Sequence, residues 1–264
     1  MSTDTLFRIS SMTKPVVSAA LLILYEEGRF VLSDPVSKRL PEFRDMRVVS
    51  VPLHEQRAGL PYQSSPAQTP ITIWHVLTHT AGLPNGSAIT AEEYGPLRPG
   101  SGPGDTLGGV SQRLARLPLH FEPGTGWQYG PATDVVARLI EVISGQRVDV
   151  FLQDRLFGPL NMADTHFSVP AEKRRRLASV YRTGKDALLE REEAGDASSP
   201  FAPPTPTYLS GTSGLVDPAE RIVAVLMMQV RPSAGIRREY EAFQALTYQT
   251  LTGPPAAGSL RTNR

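Results

Sequence analysis

The chain has 264 residues, 40% of them hydrophobic and 20% charged, and its 27 basic and 26 acidic side chains leave a formal net charge of +1. Such a composition suits a globular chain with enough length to bury a sizeable core, and the even charge excludes nucleic acid or an anionic membrane surface as an evident partner. The sequence has no cysteine, which excludes disulfides, thiol nucleophiles and thiolate-held metals, while 22 glycines and 24 prolines predict long loops between helices.

The N-terminal stretch Met1 to Thr5 carries no basic n-region and no cleavage site, and the longest apolar run, Val16 to Leu24, is too short to cross a bilayer. A cytoplasmic chain is therefore expected. Thr13-Lys14-Pro15 followed by Val16 to Glu27 predicts a first helix, with Pro15 in the first turn where its missing N–H costs nothing, and Gly28 as its stop. Val16, Val17 and Ala19 to Leu24 are apolar on nearly every face, the pattern of a helix buried all round. Residues 36–68 read as irregular. Ile71 to His79 predicts a second short helix, with either Thr69 or Thr72 as its N-cap. Residues 84–107 read as a long surface loop, and Val110 to Leu117 as a modest helix. From Thr133 to Ile143, Val135, Val136, Leu139, Ile140 and Ile143 fall at helical spacing before Gly145, and Val148 to Leu156 reads as a further short helix. Lys173 to Arg176 is a basic run on a solvated helix face. Residues 183–206 read as a linker, Ile222 to Val230 as a buried strand, Arg237 to Leu251 as a last amphipathic helix, and the tail from Gly253 as disordered.

The chemistry concentrates at the start of the first helix. Ser11 and Lys14 stand at i and i+3, so they share a face one turn apart. A serine hydroxyl is a weak nucleophile until a neighbouring base takes its proton. An amine can do so when it is neutral, a form that burial beside a helix N-terminus favours. That same helix end offers a backbone N–H to an oxyanion. With 21 serines and 4 lysines in the chain, chance predicts about 0.3 such spacings. The alternative is a helix-capping serine beside a solvated lysine. Phe121-Glu122-Pro123-Gly124-Thr125-Gly126-Trp127-Gln128-Tyr129 forms a second candidate segment, a tight turn ending in a tyrosine. Tyr129 there is either a proton relay or a core or cap aromatic. Trp127 either lines an acyl pocket or fills the core, and core filling is the expectation. His75 and His79 stand at i and i+4 without the intervening glutamate of a zinc-binding His-Glu-x-x-His motif, which disfavours a zinc site and leaves helix packing and catalysis as their alternatives, with packing the expectation.

Phe7 to Pro15 resembles the nucleophile segment of the serine β-lactamase and penicillin-binding-protein superfamily, and most closely that of the family VIII carboxylesterases related to class C β-lactamases. Three further stretches agree in order: Ile71 to Leu83 with the family's "leu-leu-thr-his-thr-ser-gly-leu" helix, Glu122 to Tyr129 with its tyrosine motif, and Phe157 to Phe167 with its "pro-leu-gly-met" segment. The resemblance implies an α/β (α+β) β-lactamase/transpeptidase-like domain. In it a helical subdomain of about residues 33–180 packs on a reduced antiparallel sheet formed, with the terminal helices, from 1–32 and 208–252. It implies Ser11 as the acylated nucleophile, Lys14 as its general base and Tyr129 as a proton relay to leaving group and water. No metal or organic cofactor is implied.

Three departures shape the expected function. Only ten residues precede Ser11, so the sheet is expected to have lost strands. Gly130-Pro131 follows Tyr129 where lactamases carry an asparagine, which disfavours β-lactam recognition and leaves ester chemistry open. The third motif, Lys-Thr-Gly in lactamases and often Trp-Gly-Gly in the esterases, has Ser210, Gly211 and Thr212 as its nearest candidates. Tyr208 to Val216 resembles at least as much a different glycine-rich turn of the family, and that reading is the favoured one, implying internal loss and a missing second oxyanion donor. The expected function is a serine hydrolase acting on small esters through an acyl-enzyme, with acyl transfer to alcohols as an extension. The alternatives are a weak β-lactamase or D-alanyl carboxypeptidase, and a shortened, catalytically impaired relative.

Overall fold

The structure is a computed structural model that describes residues 4–85, 89–94, 105–183, 189–193 and 216–218. The elements over these residues are short except for two helices. Strand β1 (Leu6–Arg8) runs into a 3-10 turn at Ser10–Met12 and then directly into helix α1 (Thr13–Glu26). Strands β2 (Arg47–Val49) and β3 (Ser64–Pro66) form an antiparallel ribbon, and helices α2 (Ile73–Leu77), α3 (Ala91–Tyr94), α4 (Leu107–Leu114), α5 (Ala132–Ser144) and α6 (Val148–Leu152) follow. A π-turn at Gln153–Phe157 extends α6, a 3-10 turn covers Ala171–Arg176, and strands β4 (Val180–Thr183), β5 (Leu189–Glu193) and β6 (Val216–Pro218) complete the order.

The described residues divide between two compact units, a larger one with residues 8–171 and 216–217 and a smaller one with residues 4–7, 172–183, 189–193 and 218. In the larger unit α5 is the central helix. Val135, Val136, Ala137, Leu139, Ile140 and Ile143 are all buried, and the helix packs against α1, α2, α4 and α6. Gly145 ends it in the left-handed conformation (φ 76°), which a residue without Cβ adopts at no steric cost. In the smaller unit β4 and β5 pair antiparallel with an irregularity between Val180 and Tyr181, while Leu6 bridges Leu177 and the Arg176 guanidinium donates to the Asp4 carbonyl.

Several expectations change. Helix α1 is not buried all round: Thr13, Lys14, Val17, Ala20, Leu21 and Leu24 form one buried stripe, and Leu22 and Tyr25 lie exposed. Apolar content on every face does not decide which faces meet a neighbour, and α1 meets α5 and α6 along a single stripe. Residues 183–206 are not wholly a linker, because Leu189–Glu193 is a strand whose partner is β4. Residues 36–68 hold the β2–β3 ribbon besides 3-10 turns, residues 84–107 hold α3, and α4 starts three residues earlier than its periodicity suggested. The predicted strand at 222–230, the helix at 237–251 and the tail lie outside the described residues.

Candidate active site

The turn that carries Ser11 is set by backbone geometry. Strand β1 ends at Arg8, and Ser10 then takes a left-handed conformation (φ 46°) that is unfavourable for a residue with a Cβ. Such strain, about 1–3 kcal/mol, persists only where the surroundings hold it, and it often accompanies a functional turn. The chain leads from there into the 3-10 turn that carries Ser11 and on into the first turn of α1 that carries Lys14, so positions i and i+3 share a face. Ser11 and Lys14 therefore overlie one another, and Lys14 Nζ donates to Ser11 Oγ at 3.2 Å. Lys14 is only 8% exposed because it opens the buried stripe of α1, whereas Ser11 is exposed.

Tyr129 reaches the same hydroxyl from 118 residues away, its phenol oxygen 2.6 Å from Ser11 Oγ. Lys14 Nζ also lies 4.5 Å from the centroid of the Tyr129 ring. Burial alone would raise the Tyr129 pKa, but hydrogen bonding to Lys14 and Ser11 and the Lys14 charge outweigh it, so the phenol sits below its ordinary value. Hydroxyl, amine and phenol therefore meet around one oxygen.

The loop carrying Tyr129 is anchored along its length. Leu119 N–H donates to Arg47 O on β2, and His120 N–H to Gly82 O. The Glu122 carboxylate accepts from the Gln68 and Thr69 backbone N–H groups. Gly124 has φ 89°, and a Cβ there would stand 3.2 Å from His75 Nε2. Gly82 is tighter still: at φ 75° its Cβ would lie 2.3 Å from the Phe121 carbonyl oxygen, so only glycine lets the two loops approach. Buried His120 pairs Nδ1 with Gln128 Oε1 at 2.8 Å and Nε2 with Thr90 Oγ1 at 2.7 Å, fixing the residue before Tyr129. Asn85 Nδ2 donates to the Tyr129 carbonyl at 2.7 Å.

The two helix histidines have different roles. Thr72, not Thr69, is the N-cap of α2: its side chain accepts from His75 N–H, and its own N–H donates to His75 Nδ1, a reciprocal cap. His79 lies two residues beyond α2 and stacks on Tyr129 with ring centroids 5.3 Å apart. Trp127 is 61% exposed with its ring edge-on to His79, so the expectation that it fills the core is corrected. The Gly124-Thr125-Gly126 turn throws its indole outward, beside the site. Ser210, Gly211 and Thr212 lie outside the described residues. Asn85 and the stacking role of His79 were not anticipated; both depend on turns that bring 79–85 against 128–130, for which the only sequence signal was the proximity of Gly82.

Burial holds the pKa values of His75, His79 and His120 below the ordinary imidazole value of about 6.5, with Lys14 adding to the effect at His79. The unfolded chain takes up protons near pH 6.5 and the folded chain resists until lower pH, so stability is full above that value and declines below it. Thermal melts should therefore show a lower Tm at about pH 5.5 than at about pH 7.5; an unchanged or higher Tm at the acid end would contradict the assigned burial.

Comparison with known proteins places this geometry in context. Residues 1–203 match the family model described as Beta-lactamase. The Mycobacterium tuberculosis protein Rv1367c is 34% identical over 231 residues, covering 86% of this chain and 54% of that protein. Esterase EstB of Burkholderia gladioli is 31% identical over 275 residues, covering 98% of this chain and 65% of EstB. Among solved structures, EstCE1, described as a hydrolase with promiscuous acyltransferase activity, superposes with a TM-score of 0.65 at 26% identity, over 83% of this chain and 57% of its own. The chain thus spans between about half and two thirds of the length of the curated relatives it matches. The expected β-lactamase/transpeptidase-like fold is found, and no helix among the described residues is long and apolar enough to cross a membrane.

Proposed function

The chain belongs to the beta-lactamase family, and from that premise we propose that it is a serine hydrolase cleaving small esters through an acyl-enzyme on Ser11. The observation that carries this reading is the meeting of three groups at one atom: Ser11 Oγ lies 2.6 Å from the Tyr129 phenol and 3.2 Å from Lys14 Nζ. Lys14 and Tyr129 act as one base. An ammonium with a phenolate and an amine with a phenol hold the same number of protons, so either form accepts one proton from Ser11 and ends as ammonium with phenol. Ser11 Oγ bonds to the ester carbonyl carbon, and the tetrahedral intermediate expels the alkoxide, which takes that proton from the pair. Water, or an alcohol in acyl transfer, then attacks the acyl-enzyme with the same proton traffic. Trp127, exposed beside the site, offers an apolar wall to the acyl chain.

Esters are favoured over β-lactams because Gly130-Pro131 supplies no side-chain amide after Tyr129. The names of EstB and EstCE1 agree with ester chemistry. The test is turnover of p-nitrophenyl butyrate with and without 1-butanol. Nitrophenol release together with butyl butyrate is the expected result. Faster opening of a chromogenic cephalosporin than of the ester would favour a β-lactamase, and turnover of neither would favour a catalytically impaired relative.

A further inference from the structure

His79 stands where nothing in the catalytic scheme requires it. It follows the C-terminal residue of α2's cap, Thr78, and adopts φ 58°, one of three non-glycine residues with positive φ among those described. Histidine tolerates the left-handed region better than most residues with a Cβ, yet the conformation still costs energy. Two backbone bonds hold the turn against the tyrosine loop. Gln128 N–H donates to His79 O at 3.0 Å, and Gly124 N–H donates to Thr80 O at 2.9 Å. The strain is thus spent on aiming one side chain. Its imidazole lies 25° from parallel with the Tyr129 ring at 5.3 Å, and the Trp127 ring meets it edge-on at 6.2 Å. Its Nδ1 is buried and has no hydrogen-bond partner among the described residues, and the contact the imidazole offers Tyr129 is its flat face.

Tyr129 needs such a platform. It is 45% exposed, and a half-exposed tyrosine samples other rotamers unless packing restrains it. Its phenol oxygen must remain on Ser11 Oγ while its ring stays 4.5 Å from Lys14 Nζ. Asn85 fixes the backbone of the same residue through its carbonyl, and His79 adds the flat contact that restrains the ring itself.

We propose that His79 is a positioning residue, whose imidazole face holds the Tyr129 phenol in register with Ser11 and Lys14. The inference rests on the acyl-enzyme reading above and adds a residue to it. An imidazole suits the position because it is flat and narrow. It also stays neutral beside Lys14, since burial and the Lys14 charge both disfavour its protonation. The groups facing Tyr129 are Ser11 at the phenol oxygen, and Lys14 and His79 at the ring.

Two substitutions separate ring from backbone. His79→Asn keeps a residue at ease with positive φ and removes the ring, while His79→Phe keeps a ring and removes the nitrogens. His79→Asn should lower kcat for p-nitrophenyl butyrate by about 10²-fold, the cost of a catalytic group displaced by about 1 Å, with KM changed far less. The alkaline-going rise of its pH–rate profile should move to higher pH as Tyr129 loosens from Lys14. His79→Phe should recover most of the lost kcat and the wild-type profile. Both are assayed well below the lower of their melting temperatures, so a destabilised but folded variant still reports. Three results would overturn the inference: His79→Asn with wild-type kcat and profile, His79→Phe as impaired as His79→Asn, or a loss confined to KM. Tyr129→Phe in parallel tells which layer failed. If Tyr129→Phe retains full activity, the acyl-enzyme reading with Tyr129 in it is wrong; if it is inactive while His79→Asn is unaffected, only the positioning role is wrong.

Discussion

Ser11→Ala is expected to reduce hydrolysis of short-chain p-nitrophenyl esters by about 10⁴- to 10⁶-fold, the range seen when a nucleophile that acts in concert with its base is removed. The fold should hardly notice. Ser11 sits in a 3-10 turn with no buried residue of its own, and its hydroxyl partners are the phenol of a half-exposed tyrosine and the Lys14 amine. Loss of such hydrogen bonds costs about 1 kcal/mol, because water replaces the missing partner at the exposed side. A melting temperature close to wild type with activity gone would separate chemistry from folding. Activity surviving at more than a tenth of wild type would remove Ser11 from the mechanism.

Lys14→Met should have the second largest effect, a loss of about 10²–10⁴-fold in kcat/KM at neutral pH, the contribution of a positioned base. Methionine fills the same buried volume at the head of α1's apolar stripe, which keeps the packing against α5 and removes the charge. The pH profile carries the diagnostic part. In the wild type, Tyr129 sits below its ordinary pKa: burial opposes the shift, and the bonds to Lys14 and Ser11 together with the Lys14 charge prevail. Activity that depends on the deprotonated pair should therefore rise with pH at values below about 10. Removing the amine leaves only the Ser11 hydrogen bond to oppose burial, so the rise should move to higher pH. A Lys14→Met enzyme with an unmoved profile, or one within about threefold of wild-type activity, would separate Lys14 from proton transfer.

Different parts of the site were legible to different degrees, for physical reasons. Ser11 and Lys14 could be paired because their coupling is local, one turn of a helix whose start Pro15 marks. Tyr129 lies 118 residues from Ser11, and no periodicity links them; only the resemblance of Glu122 to Tyr129 to a known motif joined the two. His79 was expected inside the helix but lies two residues beyond it, and its place as a platform was illegible. Its place depends on a left-handed turn and on Gly82 letting the 79–85 and 119–129 loops approach within contact of a backbone carbonyl. Trp127 was misjudged because apolar area alone suggests a core, whereas the turn at Gly124 to Gly126 decides the direction. Strand β5, Leu-Glu-Arg-Glu-Glu, escaped notice because its ladder to β4 is made by backbone groups and its side chains carry no apolar alternation. Helix α5 was the easy case: its five apolar positions at helical spacing all became core.

The account depends on an activated hydroxyl at position 11, and the most direct measurement is intact-mass analysis after exposure to a fluorophosphonate, followed by peptide mapping. The predicted result is one phosphonyl adduct per chain, on Ser11, formed by the folded protein and not by the urea-unfolded chain. No adduct, or an adduct on another serine of the folded protein, would contradict it.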